Sequence, residues 1–235
     1  MIPKGGGTDF LRIGLVEVLW KAISGIINRQ LLSSIQFHDA LRGFCAGKGM
    51  GTATLEANLI QQLISIKETV LHAIFLDLRK ACDALYRDHG LDILAGYGVG
   101  NRTLCILCKY WVQLYMVEKA VGHYETNFQS HCKVTQGYLL SPAIFNVGVD
   151  AVIRHWVTVV EGGGQEGAGQ EGLVTSIHAL SEIFYVDVGI IASHESARLQ
   201  GAFDALTGLF YRVGLQINEG KMGIMACQAC HTPHT

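Results

Sequence analysis

The chain has no surplus of positive charge: 18 lysines and arginines stand against 20 aspartates and glutamates, a formal net charge of -2. A bulk electrostatic case for holding a polyanion is therefore absent. Any contact with nucleic acid must rest on local basic groups, such as Arg42, Lys48, Arg79, Lys80, Lys133 and Lys221. Charge of either sign is sparse at 16%, while 49% of the residues are apolar. That balance excludes a disordered polyelectrolyte and suffices for one domain or two closely packed subdomains. The longest apolar run is broken by Asp187, well short of the roughly 20 residues a spanning helix needs. No basic segment followed by an apolar stretch opens the chain. The expectation is a soluble, intracellular protein, in cytoplasm or nucleus, without a membrane segment. Seven cysteines, an odd number in a chain without a secretory signal, argue for thiols rather than a disulfide framework. No internal repeat is evident.

Against this background two carboxylates stand out. Asp187 sits alone in the apolar run Ile183 to Ala192, IFYVDVGIIA, and Asp77 sits likewise in AIFLDL, Ala73 to Leu78. An ionised carboxylate is costly to bury without a partner, and a bound cation is a natural one. In isolation each has a plainer reading. Asp77 is a strand-end residue able to cap the next helix, and Asp187 is a turn residue before Gly189.

Around these strands the periodicity predicts helices. Leu55, Leu59, Leu63 and Ile66, after the capping candidates Thr52 and Thr54, place one near residues 54–68. Arg79 to Leu94 reads as a second, ending at the loop Gly96 to Gly100. Ser141-Pro142 opens a third, which runs through Trp156. Leu199, Phe203, Leu206, Phe210 and Val213 mark a fourth. Gly162 to Gly172 is a low-complexity linker. Strands separated by helices predict an α+β or α/β domain whose sheet is covered on one face.

Four segments then occur in a telling order: FLDLRKACD (Phe75 to Asp83), VTQGYLLSPAIFNVGVD (Val134 to Asp150), FYVDV (Phe184 to Val188) and GLQINEGK (Gly214 to Lys221). They resemble the palm motifs of reverse transcriptases, RNA-directed DNA polymerases, most closely those of non-LTR and group II intron retroelements. Upstream, Pro3 to Leu15 and Gly43 to Thr52 resemble that family's finger motifs. The resemblance implies an α+β right-hand fold. Part of its fingers would lie in residues 1–70 and its palm, an antiparallel sheet backed by helices, in residues 71–235, with fingers elements between the first two palm motifs and little of a thumb. It also implies RNA-directed DNA synthesis from an RNA template, a DNA primer and dNTPs. The chemistry would use Mg²⁺ at a two-metal site whose ions lie roughly 4 Å apart.

By the same resemblance Asp77 and Asp187 are metal ligands and catalytic residues, and Lys221 is the general acid for the pyrophosphate leaving group. Gln136 and Gly137 shape the pocket beside the templating base pair, and Cys82 and Tyr185 belong to the nucleotide and template site. Lys48 stands where the family has a basic group near the triphosphate. Asp83 reads as a structural or solvent-facing residue rather than a third ligand. Cys227, Cys230, His231 and His234 resemble part of a zinc site, although a short tail seldom folds four ligands around one ion.

Several positions depart from the family pattern. Leu11 and Arg12 replace an Arg-Pro pair, Cys45 replaces an arginine, and Tyr138 and Leu139 replace Asp-Pro. Cys82 replaces the aromatic residue that excludes the 2′ hydroxyl, and Val188 replaces the third carboxylate. Each departure is one base change away, the pattern of a copy decaying without selection for catalysis.

Overall fold

The structure is a computed structural model. It describes residues 2–3, 10–11, 18–67, 70–79, 84–112, 115–119, 125–129, 139–162 and 181–227. The chain divides into two compact units, Met1–Gln36 with Lys80–Gly148, and Phe37–Arg79 with Val149–Thr235.

The first unit holds the short antiparallel pair β1 (Ile2–Pro3) and β2 (Phe10–Leu11), then helix α1 (Val18–Ser34). Two further helices follow, α3 (Arg87–Gly96) and α4 (Asn101–Val112), then a second antiparallel pair, β4 (Tyr115–Lys119) and β5 (Glu125–Gln129). Trp20 of α1 stacks on Tyr110 of α4, ring centroids 3.7 Å apart. Of the helix expected from Arg79 to Leu94, residues 80–83 lie outside the described residues; Ala84 is helical, and the extended Tyr86 separates it from the helix Arg87–Gly96. Leu85 just before it is fully buried against Gly148, where an added Cβ would lie 2.9 Å from a Leu85 methyl. Insertion of Leu85 into that contact competes with helical continuation. At the far end Gly98 takes φ +80°, the left-handed conformation that closes a helix.

The second unit is built on a four-stranded antiparallel sheet ordered β6-β7-β3-β8, with β3 spanning Leu71–Asp77, β6 Ser181–Tyr185, β7 Val188–Ser193 and β8 Gly223–Cys227. Alternation along the strands sorts side chains to two faces. Leu71, Ala73 and Ala192 form a cluster with Phe75, Ile190 and Ile60, the last from helix α2 (Met50–Lys67). On the opposite face Phe184 meets Phe210 of helix α6 (Ser196–Arg212) edge to face, centroids 6.3 Å apart. Helices therefore touch both faces rather than the single face expected. Helix α2 starts at Met50, four residues before its predicted start, because Thr52 Oγ1 accepts the Gly49 N–H (2.9 Å) and donates to the Gly49 carbonyl (2.7 Å). Leu55 and Leu59, read as its apolar face, are exposed.

Helix α5 (Ser141–Gly162) begins at Ser141-Pro142 as expected and crosses the boundary between the units. It is long and apolar enough to cross a membrane by length and composition, yet 61% of its Ser141–Val160 window is buried inside the protein. It behaves as a core helix: Trp156 Nε1 donates to the Ala202 carbonyl of α6 at 2.7 Å, and the fully buried Asp150 pairs with Arg154 at 2.7 Å. Asp150 also accepts the His38 N–H. The predicted linker falls outside the described residues, apart from Gly162.

Candidate active site

Strand β3 ends at Asp77, whose side chain is 16% exposed. The chain then runs beside residues 216–218. Arg79 N–H donates to the Gln216 carbonyl (2.7 Å), and Asn218 N–H donates to the Asp77 carbonyl (2.7 Å). Beyond Asn218 a single 3-10 turn, Glu219–Lys221, brings Lys221 back over the carboxylate. Lys221 Nζ lies 3.2 Å from Asp77 Oδ2 and 3.4 Å from Oδ1, while Asn218 Nδ2 lies 3.1 Å from Oδ2. Both oxygens of Asp77 thus face protein donors. Lys221 itself is 67% exposed.

The neighbouring strands form a tight hairpin. Tyr185 pairs with Val188, so Val186 and Asp187 are the two turn residues. Val186 has φ +57°, the sign a type II′ turn requires at its first central position. A β-branched residue there is strained. Two glycines make room for the hairpin. A Cβ on Gly43 would lie 2.7 Å from Val186 N, and one on Gly189 would lie 2.6 Å from the Phe184 ring and 2.8 Å from Leu76. Segment 40–42 also bonds the edge of β6, Arg42 N–H donating to the Phe184 carbonyl and Phe184 N–H to that of Ala40, both at 2.8 Å.

Register then decides which side chains meet. Asp77 pairs with Val188, and Leu78 N–H donates to the Asp187 carbonyl at 2.6 Å. That bond makes Asp77 and Val188 a non-hydrogen-bonded pair, the kind in which facing side chains come closest. Asp187 follows one residue before, at the turn. Among the described residues no group of three or more His, Cys, Asp or Glu side chains gathers to hold a metal. The donors present, Asp77 and Asp187, suit a hard divalent cation that keeps part of its water shell and draws other ligands from phosphate.

A sequence model of the reverse transcriptase (RNA-dependent DNA polymerase) family matches residues 2–232. The chain belongs to the reverse transcriptase family. Its fold is similar to that of solved telomerases. Against apo telomerase from Candida tropicalis, truncated from its C-terminal domain, the TM-score is 0.66 at 12% identity, covering 91% of this chain and 42% of that one. Against Candida albicans telomerase in complex with a TWJ fragment of telomeric RNA it is 0.63 at 15% identity, covering 89% and 34%. At these identities the likeness establishes the fold, and this reverse transcriptase domain spans less than half the length of either telomerase. A search of curated proteins finds no significant sequence match.

In this reverse transcriptase domain the structure brings together Asp77, Asp187, Tyr185 and Lys221 around the end of the β3, β6 and β7 strands. Lys48 is held by Asp39, 2.9 Å away. Cys82, Gln136, Gly137 and Asp83 lie outside the described residues, as do Cys230, His231 and His234; Cys227 closes β8 opposite Leu71. Sequence reasoning passed over Asn218, which contacts Asp77 twice. Its one local signal is an asparagine before a short turn, the position of a cap. It also passed over the bond from Arg42 to Glu56 Oε2, 2.8 Å from Nε and 2.6 Å from Nη2, which neutralises one of the local basic groups.

Proposed function

We propose that this chain derives from the reverse transcriptase of a retroelement, of the non-LTR or group II intron type, and that its catalysis is impaired. Residues 1–70 would be part of the fingers and residues 71–235 the palm, with fingers elements between its first two motifs. The partners would be an RNA template, a DNA primer and dNTPs. Bound Mg²⁺ would activate the primer hydroxyl and neutralise the triphosphate. Asp77 and Asp187 would hold the cation, Lys221 would pass a proton to the departing pyrophosphate, and Lys48 would meet the triphosphate once released from Asp39.

One observation carries the impairment: the residue directly across the strands from Asp77 is Val188. An isopropyl group can neither coordinate nor accept a hydrogen bond, so two carboxylates remain where the family uses three. Loss of one charged ligand at such a site is worth several kcal/mol of transition-state stabilisation, roughly three orders of magnitude in rate. Primer extension on an RNA template tests this. The chain as it stands should extend at background level, Val188→Asp should raise Mg²⁺-dependent extension roughly 1,000-fold, and adding Asp77→Asn should abolish the gain. Efficient extension by the unmodified chain, or no gain from Val188→Asp, would count against the proposal. Primer-template binding with no extension in any variant would instead favour a non-catalytic nucleic-acid-binding remnant.

A further inference from the structure

We propose that Asn218 is the positioning residue of this site, fixing the Asp77 carboxylate so that Oδ2 is held by the protein while Oδ1 is left for a divalent cation. The inference rests on the metal-binding reading of Asp77 given above. Asn218 grips Asp77 at two points, its main-chain N–H on the Asp77 carbonyl at 2.7 Å and its side-chain Nδ2 on Oδ2 at 3.1 Å. Together the two bonds define both the direction of the strand end and the rotation of the carboxylate.

Asn218 also precedes the Glu219–Lys221 turn, where asparagine ordinarily bonds the turn's own amides. Here it makes no such side-chain cap. The amide reaches instead across to Oδ2, and the turn is closed by Lys221 N–H donating to the Asn218 carbonyl at 2.9 Å.

The two donors on Asp77 differ in kind. Lys221 brings a full positive charge on a flexible stem that is 67% exposed; it straddles the carboxylate, 3.2 Å from Oδ2 and a longer 3.4 Å from Oδ1. A cation at Oδ1 competes with that ammonium for the same oxygen. Asn218 is neutral and anchored through its backbone, so it orients the carboxylate without competing for its charge. It plays the part of the outer hydrogen-bond partners that orient metal-ligating carboxylates in general.

Mn²⁺ alone, titrated into the full chain and followed by electron paramagnetic resonance, tests the assignment. Asn218→Leu, near in shape but without the donor, should weaken binding roughly 10–100-fold while leaving the melting midpoint close to that of the unmodified chain. Lys221→Gln should tighten binding, by up to about fivefold, the worth of an exposed ion pair. Asp77→Asn should abolish it. If Asp77→Asn binds Mn²⁺ as the unmodified chain does, the metal-binding reading fails. If Asp77→Asn loses binding while Asn218→Leu keeps full affinity, the role of Asn218 alone is overturned. Should Asn218→Leu fail to fold, the unmodified chain still decides. Mn²⁺ should broaden the Asn218 side-chain amide resonances at concentrations that leave surface asparagines sharp, and amides that stay sharp would overturn the proposal.

Discussion

Val188 faces Asp77 directly across the β3 and β7 strands, at a pair where side chains approach most closely. A carboxylate introduced at that position would stand as close to Asp77 as the sheet permits. Like charges directly opposite on neighbouring strands destabilise by about 0.2–1 kcal/mol. Val188→Asp should therefore lower the melting temperature in divalent-free buffer, and added Mg²⁺ should reverse the loss. Scanning calorimetry with and without Mg²⁺ checks both halves; a variant whose stability ignores Mg²⁺ would show that the added carboxylate shares no cation.

The hairpin tip depends on the absence of a side chain at Gly43. A Cβ there would press on the Val186 backbone, with N at 2.7 Å and Cα at 3.3 Å, so the turn or the 40–44 segment must move. Gly43→Ala should cost about 1–3 kcal/mol. Gly47→Ala is the contrast. With φ +73° and nothing within 4 Å of the added atom, it should lose only about 1–2 kcal/mol of conformational strain. Urea unfolding midpoints should fall for both, and replacement of the strained turn residue by Asn, as Val186→Asn, should raise the midpoint.

His38 should make the fold sensitive to mild acid. Burial, reinforced by the Arg154 charge, holds its imidazole below the ordinary value of 6.5. The neutral ring accepts the Ala40 N–H at Nδ1 (3.2 Å), a bond that protonation removes. Between the folded value and 6.5 the unfolded chain binds the proton and the folded chain does not, so stability there rises with pH and is lost on acidification. His38→Gln should flatten that slope, as seen in melting temperatures measured on acidification from neutral pH through 6.5 and below.

The thiols should differ in reactivity. Cys105 and Cys108 are exposed on α4, whereas the half-buried Cys45 thiol is pushed up from its ordinary value by burial, which disfavours the reactive thiolate. Brief alkylation at mildly alkaline pH should mark Cys105 and Cys108 before Cys45, and peptide mass spectrometry would reveal the order. Faster labelling of Cys45 would mean that its surroundings open in solution.

Much of the frame around the site was legible from residue order. Lone aspartates ending apolar runs located β3 and the hairpin, Ser141-Pro142 located the start of α5, and the four- and three-residue spacing from Leu199 located α6. Helix α1 was missed because Val18, Leu19 and Ile26 project into solvent and blur its apolar stripe. Strand β8 was missed because five residues, GIMAC, beginning with glycine and exposing Ile224, carry no alternating pattern. The contacts that organise the site are long-range. Lys221 and Asp77 are 144 residues apart, and nothing local at either end announces the other. Asn218 was passed over for the same reason, since its partner is fixed only when the 216–218 segment comes to lie beside the end of β3.

Val188 is 44% exposed at the first position of a strand, where a β-branched residue is favoured. Folding therefore exerts no pressure against it. If an ancestor carried a carboxylate there, the exchange relieved a repulsion with Asp77 and suited the sheet better, so the substitution could spread without a penalty in shape. Architecture and activity would then age on separate clocks, the strand pairing around Asp77 keeping a record of descent on its own account.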